Sequence, residues 1–354
     1  MSVSMSHPLV AAAIAMSAVV QAEPLPTAAL PSVPDEHGFA GAFSGIIGHQ
    51  LIAAGGANFP DGVMPWKGGK KVWHDTLFAL DLKAPQAGWK VIGELPQVNG
   101  YGVSLTIREG ILLIGGGDAT QHSKESFLLS IGYDGKPIFS KLADLPMGLA
   151  NMSGALVGRH VHLCGGIEKP DSTTASNAHW MLDLDALDKG WQAQPALPGA
   201  GRILATAASI QDAFFLIGGC SLAPDANGKP VRAYLRESWK FSEGKWTRIA
   251  DLPRAAVASA SPAPTNGTSL FIVSGDDGTQ VGLKSPEDHR GFCKDVLRYD
   301  SSSNSWSTAG ELNVPPPVTT AVTPWNGDFL FYNGEVRPGV RTPSVFSLHL
   351  PAHE

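Results

Sequence analysis

Residues 331–346, FYNGEVRPGVRTPSVF, place one carboxylate and two guanidinium groups close together after an apolar run. Glu335 is a residue type that transfers protons, and Arg337 and Arg341 offer planar forks of N–H donors that match a carboxylate. If the ligand is an anion, Arg341 or Arg202 can hold its carboxylate while Glu335 stays free for proton transfer. This spacing predicts an acid–base site for a small acidic molecule. A structural ion pair is the alternative interpretation of the same residues.

The equivalent place in earlier parts of the chain holds a glycine pair. Each pair closes an aliphatic run, and the pairs recur about every 50–60 residues: Gly55-Gly56, Gly115-Gly116, Gly165-Gly166 and Gly218-Gly219, with weaker versions at Ser274-Gly275 and Asn333-Gly334. An aromatic strand follows each pair, and then usually a tryptophan strand that ends near Leu-Pro (Trp89, Trp191, Trp246, Trp306). Four short strands per unit and six units predict an all-β fold, a six-bladed β-propeller of the kelch type.

The two ends of the chain complement each other. The last unit stops at Glu354 without a tryptophan strand, whereas residues 25–34, LPTAALPSVP, carry the Leu-Pro signature before the first full unit begins. We therefore expect an N-terminal strand to complete the C-terminal blade and close the ring, which leaves no exposed sheet edge. Residues 23–354 are predicted to form a single propeller domain.

Polar residues near the inner strands are the candidates for a pocket at the mouth of the central channel. Those with side chains suited to ligand contacts are Asn58, Phe59, Asp61, Asn99, Tyr101, Asp118, Arg202, Asp276, Asp277, Glu335, Arg337 and Arg341. From this set the predicted catalytic residues are Glu335 and Arg341. The predicted substrate-binding residues are Arg337, Arg202, Asn58, Asn99 and Tyr101.

Composition and the N-terminal segment restrict the class of protein. The net charge is −6, with 26 Lys and Arg against 32 Asp and Glu, which argues against a nucleic-acid partner. The apolar run before Ala22 is too short for a membrane span and ends in small residues, so residues 1–22 are predicted to be a signal peptide and the protein to be periplasmic or secreted, with no membrane anchor. The oligomeric state is left without a prediction.

Metal and phosphate sites find little support in the sequence. Three scattered cysteines offer neither a disulfide framework nor a CxxC knuckle, and His160 and His162 lack a third ligand at a recognisable spacing. The segment MPWKGGKKVW, residues 64–73, lacks the GxxxxGK[ST] order that cradles phosphates and is interpreted as a loop at the channel rim. We therefore expect no metal and no cofactor.

Four segments carry a resemblance to a known family. GGANFPDG, NGYGVSLTIREGILLIGG, LPMGLANMSGALVGRHVHLCGG and above all NGEVRPGVRTPSVF resemble the periplasmic N-acetylneuraminate epimerases, or sialic acid mutarotases, which are six-bladed kelch propellers. In that family the NGE…R motif lies mid-chain and the GGA motif follows it, whereas here GGA comes first. The chain therefore resembles the cyclically permuted group of mutarotases, in which a closed ring keeps the pocket intact.

The resemblance implies an isomerase that interconverts the α and β anomers of N-acetylneuraminate without a cofactor. It implies that Glu335 is the proton acceptor and Arg341 the pocket arginine, and that Arg337 and Arg202 occupy the positions of further cations of the family. The partner is then a small acidic sugar. A secreted kelch module that binds a carbohydrate or a protein without catalysis is the alternative, because a propeller fold alone specifies no function. A copper-radical oxidase is a poorer match, since none of the five tyrosines has a convincing set of Cys and His partners.

Overall fold

The computed structural model describes residues 23–351, and short antiparallel strands dominate this range. The strands are short because turn residues interrupt the aliphatic runs. Phe43–Ile47 and Gln50–Ala54, for example, are joined by a two-residue turn in which Gly48 has a φ of 63°, a conformation that glycine adopts without strain. The predicted signal peptide, residues 1–22, lies outside the described residues.

Six four-stranded antiparallel sheets account for most strands between residues 23 and 351. In chain order, and from the innermost strand outwards, the first sheet comprises Phe43–Ile47, Gln50–Ala54, Thr76–Asp81 and Lys90–Glu94; the second Val103–Ile107, Gly110–Ile114, Ser126–Ile131 and Pro137–Lys141; and the third Ala150–Val157, His160–Ile167, His179–Asp183 and Gln192–Gln194. The fourth comprises Thr206–Ile210, Ala213–Ile217, Ser238–Ser242 and Lys245–Ile249; the fifth Thr265–Asn266, Ser269–Val273, Asp295–Asp300 and Ser305–Glu311; and the sixth Ala321–Trp325, Asp328–Tyr332, Val345–Leu348 and Thr27–Leu30.

The sixth sheet joins the two ends of the described chain. Thr27–Leu30 pairs antiparallel with Val345–Leu348, with Thr27 opposite Leu348 and Leu30 opposite Val345. The N-terminal segment therefore supplies the outermost strand that the last repeat lacks. This pairing covers the edge that Val345–Leu348 would otherwise expose.

Six backbone hydrogen bonds link the sheets in a cycle at their inner ends. Each residue of this inner ring donates its N–H to the carbonyl of the preceding member at 2.7–3.0 Å, and the first member donates to the last: Gly41, Tyr101, Asn151, Leu204, Ala258 and Thr319. All six have φ between 50° and 66°. Five of them are not glycine, so the cycle holds backbone conformations that side chains normally disfavour.

The core lies between neighbouring sheets. Each of six clusters of buried apolar residues spans one such boundary; between the sixth and first sheets, for example, Leu330 and Tyr332 pack with Leu51 and Phe78. The tryptophans of the outer strands add a repeated polar link, because the indole N–H of each donates to a backbone carbonyl beside the outer strand of the preceding sheet at 2.8–3.1 Å. Trp89 of the first sheet donates to Pro31, which follows the N-terminal strand. Four of the six boundaries between sheets are thus linked near their outer ends as well as at the inner ring.

Smaller elements lie beside the inner ends of the sheets. The short strands are Ala57–Asn58 with Val72–Trp73, Glu335–Arg337 with Val340–Arg341, and the three-stranded set Arg202–Ile203, Cys220–Pro224 and Pro230–Tyr234. The helical turns, all of 3₁₀ type, are Pro65–Lys67, Pro85–Ala87, Leu187–Lys189 and Pro286–Asp288. Across residues 23–351, no helix has the length and apolar character that crossing a membrane requires.

Candidate functional site

The inner ring forms the floor of a cavity of about 890 Å³. Tyr101, Asn151, Leu204, Ala258 and Thr319 line this cavity and also line a smaller space of about 80 Å³, so the inner ring lies between the two. The larger volume lies within the range of small-molecule sites. Its walls come from loops and short strands that follow the glycine pairs.

A short hairpin of strands Glu335–Arg337 and Val340–Arg341 brings Glu335 opposite Arg341. Gly339, with a φ of 77°, makes the turn, and its N–H donates to Oε1 of Glu335 at 3.1 Å. The backbone of Glu335 exchanges hydrogen bonds of 2.8 and 2.9 Å with Val318, which precedes Thr319 of the inner ring. The carboxylate is therefore fixed to the floor of the cavity by the backbone.

Arg341 is almost completely buried and is only partly satisfied. Its Nη1 lies 3.2 Å from Oε2 of Glu335, and the two side chains are 5% and 20% exposed. The guanidinium carbon lies 4.6 Å from the ring centroid of Phe59. The contact between Arg341 and Glu335 is an ion pair without the alignment of a hydrogen bond. Nε and Nη1 of Arg341 lack a hydrogen-bond acceptor anywhere in residues 23–351. Because buried donors are nearly always paired, the arrangement favours a ligand that brings oxygen acceptors.

Tyr101 also lies in the cavity, as the sequence predicts. Its ring rests against Gly41, where a Cβ atom would lie 2.5 Å from the nearest ring carbon. Gly41 is therefore required both by its φ of 66° and by the close approach of the tyrosine. Tyr101 therefore contributes an aromatic side chain with a polar end to the lining of the cavity.

Arg202, which the sequence predicts to bind substrate, lies inside the protein, where its guanidinium is paired. The Arg202 side chain is 0% exposed, and its guanidinium donates to the backbone carbonyl of Gly218 at 3.1 Å and to the carboxylate of Glu237 at 3.0 Å. Its partners lie in the fourth sheet rather than in the cavity, whose lining does not include Arg202. The residue follows an inner turn in the chain, but the pairing of Arg202 with Ser221 directs it into the protein.

Three other predicted binding residues also lie outside the cavity lining. Asn58 is completely buried, where it donates to Asp35 at 3.2 Å and accepts a hydrogen bond from His74 at 2.8 Å. Asn99 donates to the carbonyl of Gly115 at 3.0 Å and so supports a neighbouring glycine pair. Arg337 is exposed on the hairpin. The two asparagines thus bond to the backbone and to neighbouring side chains, which residue type alone does not reveal.

The fifth sheet contributes a second carboxylate to the cavity. Asp276 bridges to Val257 as Glu335 bridges to Val318, so the two acids occupy equivalent places in adjacent sheets. The hydroxyl of Tyr234 donates to Asp276 at 2.9 Å, and burial raises the pKa of Tyr234 well above its usual range. Sequence reasoning identified Asp276 but missed Tyr234, because the hairpin that carries it is an insertion that the glycine repeat does not predict.

His122 was also missed. Its Nδ1 lies 2.9 Å from the carbonyl of Ile167, which can only accept, so Nδ1 carries the proton. Burial lowers the pKa of His122, which favours a neutral ring whose Nε2 is an acceptor at the cavity wall. No spacing in the sequence links His122 to Ile167, 45 positions away. Within residues 23–351 no group of three or more His, Cys, Asp or Glu side chains is arranged to hold a metal ion.

Comparisons with known proteins relate the chain to one family. A family model described as N-acetylneuraminate epimerase matches residues 11–139. A protein of Yersinia enterocolitica named N-acetylneuraminate epimerase is 26% identical over 230 residues, which cover 57% of this chain and 56% of that protein. A protein of the same name from Haemophilus influenzae is 35% identical over 128 residues, covering 34% of this chain and 32% of the relative.

These matched segments span about half and about a third of the relatives' lengths. A solved structure titled "Structure of YjhT" superposes with a TM-score of 0.68 at 16% identity and covers 92% of this chain and 98% of that one, a likeness that concerns the fold alone. Parts of the chain are therefore similar in sequence to N-acetylneuraminate epimerases, and the chain has an all-β fold similar to that solved structure.

Proposed function

We propose that this protein is a mutarotase that interconverts the α and β anomers of N-acetylneuraminate. The observation that carries the proposal is the buried Arg341 beside Glu335, with guanidinium donors that lack acceptors in the described chain. A sugar acid brings both a carboxylate for such donors and a neighbouring anomeric hydroxyl for the acid beside them. The family resemblance of the sequence points to the same sugar.

The reaction needs only proton transfers. Glu335 takes the proton of the anomeric hydroxyl, the bond between the anomeric carbon and the ring oxygen breaks, and the ring oxygen receives a proton from water or from Tyr101. Rotation in the open-chain ketone and closure on the other face reverse these steps. Acid–base assistance of this kind contributes about 10²–10⁴-fold. Arg341 holds the carboxylate throughout.

We also propose that the six sheets are the blades of a closed kelch-type propeller, residues 23–354, in rotated order relative to the epimerases. The cycle of hydrogen bonds through the inner ring and the pairing of Thr27–Leu30 with Val345–Leu348 support it. A rotated order also accounts for sequence matches that stop near half of the chain while the fold superposes over 92%. Export through a signal peptide at residues 1–22 to the periplasm or the medium is part of the proposal.

The test follows anomer exchange directly. Freshly released α-N-acetylneuraminate is monitored by proton NMR with no protein, with the parental protein and with Glu335→Gln. We expect the parental protein to accelerate formation of the β anomer and Glu335→Gln to lower kcat by about 10²-fold or more, with affinity within a few-fold.

Glu109→Gln is the matched control, because Glu109 pairs with Arg159 at 3.1 Å on the surface, away from the cavity. This variant should exchange anomers at the parental rate. A parental protein that binds the sugar without accelerating exchange would instead identify a carbohydrate-binding module. Full activity of Glu335→Gln would remove Glu335 from the mechanism.

A further inference from the structure

The segment 64–73, which the proposed chemistry does not use, is attached to the corner of the cavity that holds Arg341. Val72–Trp73 pairs with Ala57–Asn58, with Ala57 opposite Trp73. Phe59, which packs against the Arg341 guanidinium, directly follows the strand Ala57–Asn58. Lys71 directly precedes the partner strand Val72–Trp73. One small two-stranded element therefore positions both the aromatic support of Arg341 and the amine of Lys71.

Lys71 lines the cavity with an ammonium that contacts aromatic faces and no acid. Its Nζ lies 4.1 Å from the ring centroid of Tyr101 and 4.7 Å from that of Trp73. Among the ion pairs within 4.0 Å in residues 23–351, none involves Lys71. Two rings attract and orient the cation but leave its charge without a counterion. Its neighbour Lys70 is exposed and does not line the cavity.

The cations on this side of the cavity favour an anion. Lys71 and Arg341 both line the cavity, and within residues 23–351 Glu335 forms its ion pair with Arg341, so Lys71 keeps a charge that a ligand can neutralise. Tyr101 ties this corner to the floor, because it belongs to the inner ring and lies under Lys71. Lys71 and Arg341 line the same cavity, and Lys71 and Phe59 flank the same pair of strands, so a carboxylate bound by Arg341 has a second cation on the cavity wall.

We propose that Lys71 is the second cation of the carboxylate site and selects acidic sugars over neutral ones. The inference rests on the proposed function for the identity of the sugar. The aromatic rings of Tyr101 and Trp73 limit the freedom of the lysine before binding, so less conformational entropy is lost when the anion arrives. Lys71, rather than Arg202, then binds the carboxylate together with Arg341.

The test compares Lys71→Gln with Lys70→Gln, which removes the same charge one residue away. Dissociation constants are measured by NMR titration for N-acetylneuraminate and for its uncharged methyl ester. We expect Lys71→Gln to weaken binding of the acid about 10-fold and that of the ester by less than about 2-fold, since the lost charge-assisted contact is made only by the acid. Lys70→Gln should leave both constants unchanged, and Lys71→Arg should recover most of the affinity for the acid.

Two outcomes would overturn the role of Lys71: equal binding of the acid by both glutamine variants, or an equal loss for acid and ester, which would indicate a packing role. Anomer exchange is measured on the same samples. Parental protein that binds the acid in a Lys71-dependent way but does not catalyse exchange contradicts the proposed function and keeps this inference. Parental protein without affinity for N-acetylneuraminate contradicts both.

Discussion

Mild acid should destabilise this protein through two buried histidines that lie outside the cavity lining. Nδ1 of His162 lies 2.9 Å from Nε2 of His179, and the two side chains lie between the third and fourth sheets. His162 stacks on Phe214 at 5.4 Å between centroids, and His179 meets the ring of Phe241 edge-on at 4.4 Å. These apolar neighbours solvate an imidazolium poorly.

The sign and size of the effect follow from the pKa values. Burial lowers the pKa of His162 to about 4 and that of His179 to about 3, whereas a histidine in an unfolded chain titrates near 6.5. Between these values the unfolded chain binds more protons, so stability is fully present above pH 6.5 and falls as the pH drops towards 4. Between pH 7.5 and pH 5 the loss is about 2 kcal/mol for each ring and about 4 kcal/mol for the pair.

Urea unfolding at pH 7.5 and pH 5.0 measures this loss. The double variant His162→Gln, His179→Gln keeps polar side chains that can bond to each other but do not titrate, and the control is His160→Gln, whose side chain is 47% exposed on the same strand. Other groups that titrate contribute equally to all three proteins, so the difference isolates the pair. We expect the double variant to lose about 4 kcal/mol less than the parental protein on acidification, and the control to behave as the parent. An equal loss in the double variant and the parent would refute the reasoning.

Two further predictions separate the arginines. Arg202→Met should lower the free energy of unfolding by about 1–3 kcal/mol, because it leaves the carbonyl of Gly218 and the carboxylate of Glu237 without their donor, while affinity for N-acetylneuraminate stays at the parental value in titration. Arg341→Ala should chiefly raise KM in the anomer-exchange assay, because the carboxylate it holds is charged in both ground and transition states. A loss of affinity in Arg202→Met at unchanged stability, or an unchanged KM in Arg341→Ala, would reverse these assignments.

The strand pattern was readable because it repeats. Gly55 and Gly56 have φ of 63° and 90°, and Gly115 and Gly116 have φ of 59° and 86°. The same turn of positive φ therefore recurs where the same glycines recur. The missing tryptophan strand at the C-terminus likewise predicted that residues near 25–30 would complete the last repeat, and Thr27–Leu30 does pair with Val345–Leu348. A local conformational requirement that recurs leaves a sequence signal.

Long-range polar contacts left no such signal. Arg202 and Arg341 are both arginines near inner turns, yet one meets Glu237 inside a sheet and the other meets Glu335 in the cavity. His162 and His179 are 17 positions apart and meet because the strand register places Cys164 opposite His179. The partner of such a side chain depends on which strands pair and in what register. A short sequence motif does not encode either.

The six repeats share one backbone arrangement but differ in the side chains that they place beside the cavity. The residue that follows each inner glycine pair or its variant has the same place in its sheet, and in chain order these residues are Ala57, Gly117, Ile167, Cys220, Asp276 and Glu335. Four positions carry no carboxylate, and the two acids fall in adjacent sheets. The inner ring is bonded through backbone groups, so a carboxylate can be introduced at Glu335 without altering the hydrogen bonds that hold the sheets together. The asymmetry of the side chains therefore distinguishes this part of the cavity from the rest of the inner ring.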